Sequence, residues 1–191
     1  MADNCSASAN VRGATLPARY AARRRSSKEA PSTGQGSSRE PLQRLLNRFR
    51  LAVEIAEREG VMLAVQNEYS CSVGTELETR LLLNSLSSKW VGSLWDLGNA
   101  FFAREKPYPD GYEKIKDAII HVHVKDARVV GGQFTWLPIG KGNVNYNGQF
   151  AELSNNRVTV SLETHYAPSG NREQGTRESF AGIKNIINEL F

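Results

Sequence analysis

The sequence predicts an α/β domain, with parallel strands joined by helical crossovers, preceded by a disordered tail. Three observations predict it. Four short apolar runs, Val61–Val65, Val91–Leu94, Ile119–Val124 and Val158–Leu162, alternate with stretches of helical apolar spacing, the rhythm of a parallel sheet. Val61–Val65 is apolar throughout rather than at every second residue, as in a strand buried on both faces. Composition also shifts sharply near residue 40, where a Ser-, Ala-, Arg- and Gly-rich segment gives way to periodic apolar residues.

Residues 1–39 carry almost no apolar periodicity. Such a segment buries too little surface to offset its ordering entropy, so disorder is expected there. Its acid-poor composition with the Arg23-Arg24-Arg25 run loosely resembles an organelle transit peptide, and an inert tail or a mispredicted start explains it as well. The domain proper is expected over 40–191. Leu42, Leu45, Leu46, Phe49, Val53 and Ala56 recur at helical spacing, with Gly60 as a C-terminal stop. After the first strand, Leu77, Leu81 and Leu82 predict a helix near 74–86. A short helix is expected near 110–118, a long Gly-containing loop over 131–144, a helix near 146–153 and a last helix near 176–190.

Bulk properties exclude several classes. Of 24 Lys/Arg and 20 Asp/Glu, residues 1–39 hold 7 and 2, which leaves 17 against 18 for the rest. The domain is therefore near neutral, which argues against nucleic acid as a partner. No apolar run is long enough to span a bilayer. Cys5 and Cys71 are the only cysteines, too few for a disulfide scaffold or a thiolate metal site. A cytoplasmic setting is expected.

Each apolar run ends in a residue type that binds metals: Glu68, Asp96, His123 and Glu163. Parallel α/β folds build their sites at these strand ends. Three carboxylates and an imidazole converging from neighbouring strands suit a divalent cation. The four lie 28, 27 and 40 residues apart, and a (β/α)₈ barrel averages about 31 residues per repeat. Four strands make half of such a barrel.

The segments Asn67-Glu68, Trp95-Asp96-Leu-Gly-Asn99-Ala, His121-Val-His123-Val-Lys125-Asp126-Ala, Gly140-Lys-Gly142-Asn-Val and Ser161-Leu-Glu163-Thr-His165 resemble the xylose isomerase-like TIM-barrel superfamily, specifically its C-terminal half over residues 41–191. That superfamily includes sugar isomerases and epimerases and the apurinic-site endonucleases. The resemblance implies that Glu68, Asp96, His123 and Glu163 are metal ligands from barrel strands five to eight. His123 is preferred to His121 because it stands three residues before Asp126. The endonuclease branch adds a His three residues after the Asp ligand and further Asp and His ligands on a later loop. Here position 99 is Asn, and 131–144 contains neither residue. The sugar branch is favoured. Segments matching the first four barrel strands are absent, which predicts either self-association or a missing N-terminal half.

The resemblance implies a sugar or sugar-phosphate isomerase or epimerase that moves a proton next to a carbonyl, with a polyol dehydratase, a phosphodiesterase or a non-catalytic remnant as alternatives. Glu68 and Glu163 would be the proton-transfer pair as well as ligands. Mn²⁺ or Mg²⁺ is favoured by the oxygen-rich set, and the imidazole leaves Zn²⁺ or Co²⁺ open. Asn99, Lys125 and Asp126 are candidates for contacts with substrate oxygens, against local roles in shaping the loop or forming an ion pair. His121 and His165 are expected to support rather than react. Gly140-Lys141-Gly142 is too weak a pattern for a phosphate cradle.

Overall fold

In a computed structural model of the protein, residues 6–11, 14–19, 39–156 and 158–191 are described. Ser6–Val11 (β1) and Ala14–Arg19 (β2) pair as an antiparallel hairpin with Val11 opposite Ala14, and β1 lies alongside the first strand of the main sheet. This hairpin falls in the segment expected to be without structure. The rest of that expectation, including the Arg23–Arg25 run, lies outside the described residues.

The main body is a run of helix–strand units. Helix α1 spans Arg39–Glu59 and ends at Gly60, whose φ of +67° is a left-handed stop. Strand β3 covers Leu63–Gln66. Helix α2, Glu76–Leu86, starts with a capping box in which Thr75 and Glu78 satisfy each other's backbone N–H groups. Strand β4 covers Val91–Asp96 and runs directly into the short helix α3, Leu97–Phe102. A turn and the single-turn helix α4, Tyr112–Ile115, lead to β5, Ile119–Val124. Helix α5, Tyr146–Leu153, precedes the last sheet strand, Thr159–Leu162, and helix α6, Arg172–Leu190, follows it. The last helix begins four residues earlier than its apolar periodicity predicts. Asn171 caps it by accepting from the Gln174 N–H, a polar signal that apolar spacing does not carry.

The expected 131–144 loop is corrected. Asp126–Val130 (β6) and Gln133–Leu137 (β7) form an antiparallel hairpin, and the Thr159–Leu162 strand is therefore β8. The hairpin turns at Gly131-Gly132, both with positive φ, which is the backbone a two-residue hairpin turn requires. Half-exposed strands with little continuous apolar run hide from a burial-based reading.

β3, β4, β5 and β8 make one parallel sheet in that order. Between its strands and the helices lies a core that includes Leu82, Trp95, Ile115, Val122, Val124, Tyr146 and Ile183. Alternation along the strands sends Trp95 into this helix-facing layer, fully buried, and turns its neighbour Asp96 to the other face. No helix of the described residues is long and apolar enough to cross a membrane.

Candidate metal centre

Register brings the strand ends together. Asp96 lies opposite His123, and His123 opposite Ser161. Glu163 is one residue beyond the last β8 pair, and its N–H donates to the Val124 carbonyl at 3.1 Å. As a result one ligand-type atom each from Asp96, His123 and Glu163 lies within 4.8 Å of the others. Three of the four predicted ligands therefore meet.

Glu68 does not join them; the fourth strand end contributes Gln66 instead. Gln66 Nε2 is 3.1 Å from Asp96 Oδ2, 3.3 Å from Glu163 Oε2 and 3.4 Å from His123 Nδ1. Glu68 sits past the end of β3, where the chain has turned. Its Oε1 accepts from the Ser70 N–H and hydroxyl, and its Oε2 from Asn99 Nδ2 at 3.2 Å. The sequence held one signal for Gln66, a polar side chain inside the apolar run two residues before Glu68 and so on the same strand face.

Asp96 divides its work between its two oxygens. Oδ1 caps α3 by accepting from the Asn99 N–H at 2.8 Å, and Oδ2 faces the centre. One carboxylate thus caps a helix and still faces the centre. Asn67 fixes the Asp96 backbone from the neighbouring strand end.

Lys125 reaches the same place. Its Nζ is 2.9 Å from Asp96 Oδ2, 2.9 Å from Glu163 Oε2 and 3.2 Å from His165 Nε2. The fold has prepared a slot for it. At Gly98 a Cβ would stand 2.4 Å from Lys125 Cγ, so only glycine lets the stem pass. Tyr146 clamps the backbone: the Lys125 N–H donates to the Tyr146 hydroxyl at 3.0 Å, and that hydroxyl donates to the Lys125 carbonyl at 2.7 Å.

Charge follows from burial and these contacts. Burial pushes the Asp96 carboxyl up to about 6, against the lowering effect of Lys125 and the Asn99 N–H. Burial also works to raise Glu163, but the His123 hydrogen bond and the Lys125 ammonium overcome it and hold that carboxyl well below its ordinary value. Burial opposes the Lys125 charge, yet Asp96 and Glu163 together raise its pKa. Burial thus disfavours the charge on Asp96, while the His123 and Lys125 contacts favour the charge on Glu163.

A wall of aromatic rings borders the centre. Trp136, carried by β7, stacks on Phe102 with centroids 4.1 Å apart and packs against His165 at 4.7 Å. Phe102 also stacks on Phe134 at 4.3 Å and meets Tyr69 at 4.9 Å. The hairpin that the sequence did not reveal therefore builds one side of the site.

Two predicted contact residues have structural roles. Asp126 is buried and accepts backbone N–H bonds from Ala127, Gly140, Gly142 and Val144. The Gly140 and Gly142 amides are thus spent on Asp126, and the Lys141 amide on the Pro138 carbonyl, rather than on a ligand. Asn99 is fully buried and ties β3 to β4 by donating to the Asn67 carbonyl at 2.9 Å. His121 lies below the centre with Nε2 2.8 Å from Ser161 Oγ, a supporting position.

The donor set fits a divalent ion. Two carboxylates and an imidazole suit Mg²⁺, Mn²⁺ or Zn²⁺, and a half-turn of the Gln66 amide would offer its carbonyl oxygen at the same point.

A family profile described as xylose isomerase-like TIM barrel matches residues 10–186. The chain belongs to that family. It is 36% identical over 90 residues to an inosose dehydratase of Bacillus licheniformis, a match covering 47% of this chain and 30% of the dehydratase. Among solved structures it resembles a D-tagatose 3-epimerase-like protein, with a TM-score of 0.65, 22% identity and coverage of 84% of this chain and 59% of the other. It also resembles a xylose isomerase-like TIM barrel protein from Mycobacterium smegmatis in complex with magnesium, with a TM-score of 0.63, 18% identity and coverage of 84% and 55%. The chain spans less than a third of the dehydratase and just over half of each of these structures.

Proposed function

We propose that the protein is a metal-dependent enzyme that moves a proton next to the carbonyl of a small polyhydroxylated substrate, a sugar or sugar phosphate. The observation that carries this is the convergence of Asp96, His123 and Glu163 within 4.8 Å at the C-terminal strand ends. Isomerisation or epimerisation returns the proton to carbon. Dehydration is the second reading, favoured by the likeness to an inosose dehydratase; the same proton removal is followed by loss of a neighbouring hydroxyl as water.

Asp96, His123 and Glu163 would hold the ion, with Gln66 beside them. The ion supplies positive charge to the substrate oxygen on which charge develops, and Mn²⁺ or Mg²⁺ suits the two carboxylates best. Glu163 is the proton acceptor we assign, because it is the half-exposed carboxylate of the set while Asp96 is fully buried. Glu68, held at the mouth by Ser70 and Asn99, is the proton donor we assign. Trp136 and Phe102 exclude water from one flank and offer an apolar face to the C–H side of a sugar. His123 holds the position of the Glu163 carboxylate, its Nδ1 3.2 Å from Glu163 Oε2.

The test incubates the protein with Mn²⁺ in D₂O and a panel of ketoses, ketose phosphates and cyclic polyhydroxy ketones. Deuterium entering the carbon next to the carbonyl supports the proposal, and loss of water from the same carbon pair assigns dehydration. Cleavage of abasic-site DNA without exchange on any panel member would move the protein to the nuclease branch.

A further inference from the structure

The two oxygens that would bind the ion are the same two that bind the Lys125 ammonium. Asp96 Oδ2 and Glu163 Oε2 each lie 2.9 Å from Lys125 Nζ. A divalent ion ligated by those atoms cannot share the position with an ammonium at hydrogen-bond distance from both. Nor is Lys125 a surface side chain that has folded inward. It is 1% exposed, its stem passes through the gap left at Gly98, and Tyr146 clamps its backbone from both sides.

Charge balance points the same way. Asp96 and Glu163 bring two negative charges, and the fourth strand end brings the neutral Gln66 amide where another carboxylate would strengthen the pull on a divalent ion. One ammonium already neutralises half of that charge. Other groups already touch it: His165 Nε2 is 3.2 Å from Nζ, and the Trp136 ring centroid is 5.8 Å away, an acceptor and an aromatic face that remain to it once the carboxylates are taken.

We infer that Lys125 is the resident cation of this centre: in metal-free protein its ammonium occupies the ion's position, and a divalent metal binds by displacing it toward His165 and the face of Trp136. This rests on the metal centre proposed above. It makes Lys125 the residue that sets metal affinity without being a ligand. Metal occupancy and the position of the ammonium are then two states of one switch.

The experiment titrates Mn²⁺ by calorimetry into wild-type protein, Lys125→Met and His123→Ala. Removing the competing cation tightens Mn²⁺ binding by about tenfold or more, and removing the ligand weakens it by about tenfold or more. Equal or weaker binding by folded Lys125→Met, with His123→Ala still weakened, overturns the lysine exchange and leaves the metal centre standing. No Mn²⁺ binding by any of the three overturns both. Because Lys125→Met leaves two carboxylates without a partner and can fail to fold, a second measurement uses wild-type protein alone. Lysine acetylation mapped by mass spectrometry should rise about threefold or more at Lys125 on saturation with Mn²⁺, since a side chain displaced from its buried position becomes accessible to the reagent. Unchanged labelling at Lys125 would overturn the inference.

Discussion

Asn67 and Asp96 hold each other across neighbouring strand ends by two reciprocal hydrogen bonds. Asn67 Nδ2 donates to the Asp96 carbonyl at 2.9 Å, and the Asp96 N–H donates to Asn67 Oδ1 at 2.7 Å. Both residues are fully buried. The pair continues the β3–β4 ladder with a side chain after the backbone pairing of Gln66 with Leu94 has ended, and so fixes the direction in which the Asp96 carboxylate leaves the strand.

Asn67→Ala should therefore be costly. It leaves a buried N–H and a buried carbonyl without partners, at about 1–3 kcal/mol for each orphaned group. Chemical denaturation should show a loss of about 2–4 kcal/mol, and Mn²⁺ affinity should fall with it although Asn67 touches no ion. A change within about 0.5 kcal/mol would show that the pair does not position Asp96.

Asp126 provides a contrast. With four backbone N–H donors on its carboxylate, it anchors the segment that follows the β6–β7 hairpin. Asp126→Asn places an amide group against some of those donors and should lower stability by about 2–4 kcal/mol. In whatever fraction remains folded, Mn²⁺ affinity should stay within about twofold of wild type. An unchanged melting temperature with a weakened substrate interaction would restore Asp126 as a binding residue.

Metal binding should weaken as pH falls. A ligand carboxylate must be deprotonated to bind, and burial places the Asp96 carboxyl at about 6. Between about pH 7.5 and about pH 5 the Mn²⁺ affinity should drop by about tenfold or more. On metal-free stability the two carboxylates act with opposite sign. Asp96, raised above 3.8, favours the fold at low pH, and that contribution is lost as pH rises through about 6. Glu163, lowered from 4.5, contributes above 4.5 and loses its contribution as pH falls. A flat affinity profile over this range would show that Asp96 is not a ligand.

The four sheet strands were legible as short, mainly apolar runs set between helical stretches, and Asp96, His123 and Glu163 because each stands at the end of one. Register then does what a sequence pattern can only suggest, placing Asp96 directly opposite His123. What stayed hidden has physical causes. The β6–β7 hairpin is half-exposed and lacks an apolar run, so Trp136 could not be placed. Gln66 is not a charged residue and drew no notice beside Glu68, yet it is the one whose side chain reaches the centre. Adjacency in the sequence suggests Lys125 and Asp126 as a pair of substrate contacts, but successive residues at a strand end leave on opposite faces. One enters the ion cluster and the other turns to the backbone.

The far edge of the sheet supports a prediction about association. Among the described residues β8 is paired on one side only, by β5. Beside it an apolar groove is lined by Phe150, Val160, Phe180, Ile187 and Phe191, of which Phe180 is 56% and Phe191 75% exposed. Open strand edges and uncovered apolar patches favour pairing with another chain. Light scattering after size exclusion should show this chain, expressed alone, as dimers or larger species, and Phe180→Ser should shift it toward monomer. A monomer at all concentrations would remove the prediction.

The central claim is that one divalent ion binds between β4, β5 and β8, and anomalous scattering from crystals grown with Mn²⁺ tests it most directly. The account predicts a single peak about 2.2 Å from Asp96 Oδ2, His123 Nδ1 and Glu163 Oε2, with Lys125 Nζ moved off both carboxylates toward His165. A peak held by Glu68, or no peak between these three residues at saturating Mn²⁺, would contradict it.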